Sequence, residues 1–485
     1  MNEYTYKKIV LFLILTLIFI TFLTKYYGST DIGDYSDTAK YFSGKYSADI
    51  RSSHSYLYGY IHSPFLKFFD NFLIFKITSL IFLFLIIYSV YVITGNDKKS
   101  FLLILLSPVL WYMAPWINPI QLASLFMLWA YYFIKKFDNE EHWKYLVYSA
   151  IFAGLGWAVW DTILFFGFIL AVVYLYDKKF YHFVLFSFFV FIGLLPRLLL
   201  DQILFNFPFF TILKSTFGTI ANISGGIYNR ASGHSEKSFL NLLCIFLSIP
   251  FYYWIMYKPS LFQNYKKDIV FVSLSLLLIL SNPQIRYMLL LVPIMTLIIS
   301  ENLDRNQFKK QLIFSAIILL LFLVPYIIQI NFPMEGNLIY GTEFNWMLNN
   351  GIHLREKPMG KMISEDLENI TSVYKNETFI VGNNPDDFQL LAHLYWGKDV
   401  KEFVSIQDYN LFLANKTSFY EKKFMPIPNI NERRQIWFAG GMTANVNDST
   451  NYSDVDFAIG INEPANLTNF NVVRKYSILY LSKRN

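Results

Sequence analysis

Cysteine occurs once in 485 residues, at Cys244 inside an apolar run, so an intramolecular disulfide is excluded and redox chemistry says nothing about compartment. Charge is scarce as well: 16% of residues are Asp, Glu, Lys or Arg, where soluble domains carry about 25%. Hydrophobic residues make up 54% of the chain, and they come in blocks rather than in alternating patterns, which excludes an ordinary soluble globule. No run resembles a cleavable leader. The first apolar stretch, residues 9 to 27, is long enough to span a bilayer and has no small-residue cleavage site before the polar residues 28 to 37. It is expected to be a retained first helix. A net charge of +6 would suggest nucleic acid in a soluble protein, but the lysines flank the apolar blocks. Membrane lipids, and no nucleic acid, are therefore the expected surroundings.

Stretches long enough for membrane helices fall at 9 to 27, 71 to 94, 101 to 117, 119 to 134, 145 to 160, 162 to 176, 180 to 200, 239 to 257, 268 to 281, 285 to 300 and 312 to 330. The expectation is a polytopic α-helical membrane protein with about eleven transmembrane helices. Every second connection carries lysine or arginine: Lys7 and Lys8; Lys98 and Lys99; Lys135, Lys136 and Lys144; Lys178 and Lys179; Lys258, Lys266 and Lys267; Arg305, Lys309 and Lys310. The alternate short connections, 113 to 119, 157 to 161 and 281 to 285, have none. By the positive-inside rule the N-terminus is cytoplasmic and the C-terminus extracytoplasmic.

Three outside segments are long: residues 28 to 70, 201 to 237, and those after about Pro333. The last is expected to be a C-terminal extracytoplasmic α/β domain, so the chain divides into a membrane module, 1 to 332, and a soluble domain, 333 to 485. The domain holds six Asn-x-Ser/Thr sequons, at Asn369, Asn376, Asn415, Asn447, Asn451 and Asn466, whereas the rest of the chain has only Asn222. That skew agrees with the outside placement. Strands are expected over 378 to 382, 402 to 406, 435 to 439 and 476 to 481, with a helix over 386 to 396.

The first outside loop is the most informative stretch. Asp31, Asp34 and Asp37 lie within seven residues just after a membrane helix, followed by His54, Tyr58 and His62. Clustered carboxylates near apolar surface can serve as a general base, as ligands for a divalent cation such as Mg or Mn at Asp31 and Asp34, or as both. The plainer alternative is a solvated turn with an N-cap aspartate. Elsewhere Asp161, Arg197, Asp201 and Arg286 stand at the outward ends of apolar helices, where an ionisable group is costly enough to be a functional suspect. Arg230 and His234 of the third long outside segment can join them. Guanidinium groups at that depth suit a lipid phosphate, whose oxygens they grip as a fork.

The order of these features resembles the GT-C superfamily of polyprenyl-phosphate-sugar-dependent glycosyltransferases. The matching parts are the inside N-terminus, the acidic loop Thr30-Asp-Ile-Gly-Asp34 with Asp37-Thr-Ala-Lys-Tyr-Phe42 and Gly44, the closure Tyr60-Ile-His-Ser-Pro-Phe65, and Arg286-Tyr287 followed by Pro293. Within the superfamily the loop looks most like that of mannosyltransferases using dolichyl-phosphate mannose. The resemblance covers residues 1 to 330 and implies a single inverting displacement. Asp31 or Asp34 would be the base, and Arg286 with Tyr287 would receive the donor phosphate, helped by Arg197 and Arg230. Asp161, His54, Tyr58, His62 and His234 would line the acceptor pocket. It implies a polyprenyl-phosphate-linked sugar as donor and a lipid-linked or glycan acceptor. One departure stands out: the aspartates are spaced by three rather than as a tight Asp-x-Asp, which leaves both the base and a bound metal open. The Trp-Trp-Asp signature of oligosaccharyltransferases is absent.

The rival class is a transporter or flippase of a lipid-linked sugar. Such proteins usually show inverted repeats and charges near the midplane, whereas here the charges gather at one rim. A composition rich in Asn, Lys, Ile, Phe and Tyr suits an AT-rich genome, pointing to an archaeal or bacterial plasma membrane, with the endoplasmic reticulum as the alternative.

Overall fold

The computed structural model describes residues 3–23, 35, 38–39, 42–43, 55–68, 71–213, 215, 239–281, 283–327, 366, 369–374, 377, 379–381, 403–405, 456–460, 470–477 and 479–485. It divides into two compact units. The first takes residues 1–27, 76–197 and 231–355; the second takes 28–75, 198–230 and 356–485.

Helices dominate the first unit and reach into the second at 71–75 and 198–205. They are α1 (Glu3–Leu23), α2 (Leu57–His62), α3 (Asn71–Ile93), α4 (Lys98–Leu105), α5 (Pro108–Met113), α6 (Ile120–Glu140), α7 (Trp143–Val159), α8 (Ile163–Leu175), α9 (Phe180–Phe205), α10 (Phe239–Ser248), α11 (Pro259–Phe262), α12 (Lys266–Ser281), α13 (Val292–Ser300) and α14 (Arg305–Ile327). Each of the eleven apolar stretches holds helix among its described residues. Among the described residues, four helices are long and apolar enough to cross a membrane: Glu3–Phe22, Leu73–Ile93, Phe180–Leu204 and Arg305–Leu323.

Three stretches expected as unbroken spans are interrupted, each at a proline. Residues 101 to 117 split into α4 and α5 at Ser107-Pro108; 239 to 257 split at Pro250 into α10 and a 3-10 helix, Phe251–Tyr257; 285 to 300 split into a 3-10 helix, Ile285–Leu290, and α13, which carries Pro293. Proline supplies no N–H and clashes with the preceding turn. In an apolar setting the backbone groups it frees must find other partners, and they do. The Trp111 indole donates to the Leu105 carbonyl at 2.6 Å. The Gln121 amide donates to the Met113 and Trp116 carbonyls at 3.1 and 3.0 Å. The Tyr252 N–H, just past Pro250, donates to Gln311 Oε1 at 3.0 Å.

Helix contacts are made by small side chains and hydroxyls. Ser79 on α3 donates to the Trp116 carbonyl at 2.8 Å, and Ser149 on α7 to the Ala130 carbonyl of α6 at 2.7 Å. Lipid tails are as apolar as leucine, so close packing and hydrogen bonds carry such contacts. At the helix ends that carry the lysine-bearing connections, Asp268 on α12 is buried and accepts from Tyr131 of α6 at 2.5 Å and from Tyr174 of α8, with Lys135 at 3.2 Å. Lys267 beside it bridges Asp138 and Asp177 at 2.7 and 2.8 Å. Three helices are thereby tied together at one level.

In the second unit, the described tail residues form a five-stranded sheet of β1 (Phe379–Val381), β2 (Phe403–Ser405), β3 (Phe457–Gly460), β4 (Phe470–Lys475) and β5 (Tyr480–Arg484), in the order β2-β1-β3-β5-β4. The first three strands run parallel and the last two antiparallel pairings close the edge, with Phe379 opposite Phe403 and Phe457, and Ala458 opposite Ser482. Central β3 is buried along its whole length. Strands β1 and β2 fall where the sequence placed them. Strands β3 and β4 were not anticipated, and β5 begins four residues later than expected. The expected helix over 386 to 396 and strand over 435 to 439 lie outside the described residues.

Candidate functional site

In the first unit the candidate charged residues are gathered by one helix crossing. Gly154 on α7 and Gly193 on α9 touch: a Cβ on Gly154 would lie 2.1 Å from the Val190 carbonyl oxygen, and one on Gly193 would lie 2.3 Å from the Ile151 carbonyl oxygen. Only hydrogen fits at either place. Beyond the crossing, α7 ends at Val159 and α9 continues, which brings Arg197 beside Asp161. Arg197 Nη1 stands 2.6 Å from Asp161 Oδ1 and 3.2 Å from the Trp157 carbonyl. The arginine side chain is 0% exposed and the aspartate 18%, so the guanidinium is engaged inside the protein with a carboxylate.

Arg286 is differently placed. It sits on the 3-10 turn Ile285–Leu290 and is half-buried. Its Nε donates to Gln284 Oε1 at 2.5 Å, and its guanidinium lies 5.7 Å from the Tyr287 ring centroid. Tyr287 packs on Trp160, centroids 5.2 Å apart. Since Trp160 precedes Asp161 in the chain, the structure brings Asp161, Arg197, Arg286 and Tyr287 to one end of the helices. The two arginines divide there into a buried, paired one and a partly accessible one.

A further cation at membrane depth escaped sequence reasoning. Lys76, on the second turn of α3, is buried and donates from Nζ to the Thr21 carbonyl at 2.5 Å. Thr21 lies near the Leu23 end of α1 as described. The Lys76 side chain thus ties α1 to α3. A lone lysine in a 23-residue apolar helix was the signal that could have found it.

The second unit holds the other half of the candidates. Helix α2 buries Leu57, Tyr58, Gly59 and His62. His62 Nδ1 donates to the Tyr58 carbonyl at 2.6 Å and its ring stacks on Phe75, centroids 4.3 Å apart at 24°. Burial pushes its imidazole down to about 4, with the Tyr58 carbonyl opposing; the ring is neutral near pH 7. Tyr58 meets Tyr35 edge to face at 5.2 Å. Tyr35, Thr38 and Ala39 of loop one are buried. Asp201, singled out at the end of α9, accepts from the Thr211 N–H and hydroxyl at 2.8 and 2.7 Å. Asp31, Asp34, Asp37, His54, Arg230 and His234 lie outside the described residues, as does the cation site expected at Asp31 and Asp34. Among the described residues no group of three His, Cys, Asp or Glu side chains could hold a metal ion.

No family model matches the sequence, and no curated protein matches it. Solved structures do match the fold. The crystal structure of ArnT from Cupriavidus metallidurans bound to undecaprenyl phosphate superposes with a TM-score of 0.61 at 10% identity, covering 99% of this chain and 98% of that one. The apo structure of the same protein gives 0.60 at 10% identity with the same coverage. Over essentially the whole chain, the helical fold described above is the fold of these two structures.

Proposed function

We propose that the chain is an inverting glycosyltransferase that moves a hexose, mannose first among candidates, from a polyprenyl or dolichyl phosphate to a lipid-linked glycan, glycolipid or protein acceptor on the outer membrane face. The observation that carries this reading is the full-length likeness to a fold crystallised with undecaprenyl phosphate. With it goes an eleven-span topology, N-terminus inside, and a tail outside as an α/β domain. The acceptor hydroxyl loses its proton to the carboxylate of Asp31 or Asp34 as its oxygen bonds to the anomeric carbon. The bond from that carbon to the phosphate oxygen breaks, and the polyprenyl phosphate leaves with the electron pair. Negative charge grows on the departing phosphate, where a partly accessible guanidinium, Arg286, is suited to receive it. Arg197, being buried and paired, supports the architecture and leaves Arg286 the principal phosphate ligand.

Incubating the purified protein with radiolabelled polyprenyl-phosphate sugars and a panel of lipid-linked and glycan acceptors tests the reading. Transfer from at least one donor with inversion at the anomeric carbon is expected. Donor binding without transfer to any acceptor, together with movement of the intact lipid across vesicles, would replace it by the flippase reading.

A further inference from the structure

Gln284 opens the 3-10 turn Ile285–Leu290 from an extended conformation, φ −121° and ψ 129°, and its carbonyl accepts from the Tyr287 N–H at 3.1 Å. A polar side chain at the head of such a turn is well placed to cap its first N–H groups, yet Gln284 makes no side-chain cap. Its Oε1 accepts instead from Arg286 Nε at 2.5 Å. Nε joins the guanidinium to its stem, so a bond at that nitrogen fixes the plane in which the whole rigid group lies. Tyr287 limits the group as well: the guanidinium carbon stands 5.7 Å from its ring centroid. That ring packs on Trp160, which is itself buried and whose N–H donates to the Gly156 carbonyl at 2.9 Å at the end of α7. The contrast with Arg197 is one of charge. Arg197 meets a carboxylate at 2.6 Å, which orients and neutralises it, whereas the amide of Gln284 orients Arg286 without itself cancelling the charge.

We propose that Gln284 is a positioning residue for Arg286: its amide oxygen holds Nε and so presents the guanidinium to a lipid phosphate in a preset plane. The inference rests on the reading of Arg286 as the donor-phosphate ligand and adds to it the group that aims the arginine. A phosphate takes two parallel N–H bonds from a guanidinium only when the plane of the fork meets its oxygens. An arginine left among many rotamers has to be ordered as the ligand arrives, and ordering it beforehand strengthens binding by about two- to tenfold.

Equilibrium binding of undecaprenyl phosphate to the full chain in detergent is measured for wild type, Gln284→Met, Arg286→Lys, the double variant Gln284→Met/Arg286→Lys, and Arg286→Ala. Methionine keeps the length of glutamine and removes the acceptor, while lysine keeps a positive charge and has no plane to be set. Gln284→Met should weaken binding about three- to tenfold beside Arg286, and by less than about twofold beside lysine. Gln284→Ala repeats the cycle should methionine prevent folding. Equal losses in the two backgrounds would mean that Gln284 only shapes the turn, and that result overturns the proposal. If Arg286→Ala weakens binding while Gln284→Met binds like wild type, the positioning role alone fails. If Arg286→Ala itself binds like wild type, or the wild type binds no undecaprenyl phosphate, the phosphate reading fails and the positioning role falls with it.

Discussion

The buried pair Arg197–Asp161 offers the sharpest test, because its two members differ in access to water. Removing the carboxylate in Asp161→Ala takes the charged partner at 2.6 Å from a guanidinium that is 0% exposed; breaking a buried pair costs about 3 to 5 kcal/mol. Removing the cation in Arg197→Met takes the charged partner from a carboxylate that is 18% exposed, which water can partly solvate, so the loss should be smaller, about 2 kcal/mol. Asp161→Asn keeps an oxygen to accept from Nη1 and forfeits only the charge assistance, about 1 kcal/mol. Replacing both, as Asp161→Leu with Arg197→Met, removes the uncompensated charge and should return stability to within about 1 kcal/mol of wild type. The order of the four is the prediction: Asp161→Ala, Arg197→Met, Asp161→Asn, then the double variant. Reversible unfolding in mixed micelles, followed by tryptophan fluorescence, reads it. Should Asp161→Ala unfold like wild type while Arg197→Met loses donor affinity tenfold, Arg197 would be a phosphate ligand and the structural reading of the pair would be wrong.

Asp31→Asn and Asp34→Asn should lower turnover by about 100- to 10,000-fold with little loss of donor affinity, since the amide keeps shape but cannot take a proton; near-wild-type rates in both would remove loop one from the chemistry. Arg286→Ala should weaken donor binding sharply and Arg286→Lys only in part, because a point charge keeps Coulomb attraction without the two-pronged hydrogen bond; equilibrium binding of a polyprenyl phosphate decides it. His62, held down to about 4 when folded against about 6.5 when free, binds its proton more readily in the unfolded chain. Its contribution is therefore complete above pH 6.5 and is lost as pH falls towards 4, by roughly 3 kcal/mol, and His62→Phe should flatten the pH dependence of stability across that window. A cysteine in place of Lys98 or Lys178 should be shielded from an impermeant thiol reagent in intact cells, while one in place of Lys45 or Asn415 should react; the opposite pattern would invert the topology.

Hydropathy made the helices legible because each apolar stretch exceeds what a soluble core needs, and the structure has a helix or a broken helix at every one. It did not mark the breaks. Pro108, Pro250 and Pro293 were visible, but whether proline kinks a helix or ends it depends on partners that lie far off in sequence, such as Gln311 for Tyr252. Charge position singled out Asp161, Arg197 and Arg286, which do share one end of the helices. That two of them neutralise each other was not legible, since it follows from the contact of Gly154 with Gly193, residues 39 apart whose significance is the lack of a side chain. In the tail, β3 and β4 were missed because the strands are short and β4 is exposed at most of its positions, so no two-residue alternation announces it.

The segment Phe251–Tyr257 carries a consequence for membrane thickness. A 3-10 helix rises about 2.0 Å per residue against 1.5 Å in an α-helix, so these seven residues advance about 14 Å where an α-helix would cover about 10 Å. The stretch following Pro250 therefore reaches farther than its residue count implies, relieving a shortfall that a short apolar stretch would otherwise meet by thinning the bilayer around it. Threefold winding also eclipses every third side chain. Phe251, Trp254 and Tyr257 are exposed in one file while Tyr252, Tyr253 and Met256 are buried, leaving a rail of rings along a single edge that ends at Lys258, where acyl chains give way to headgroups if the positive-inside register holds.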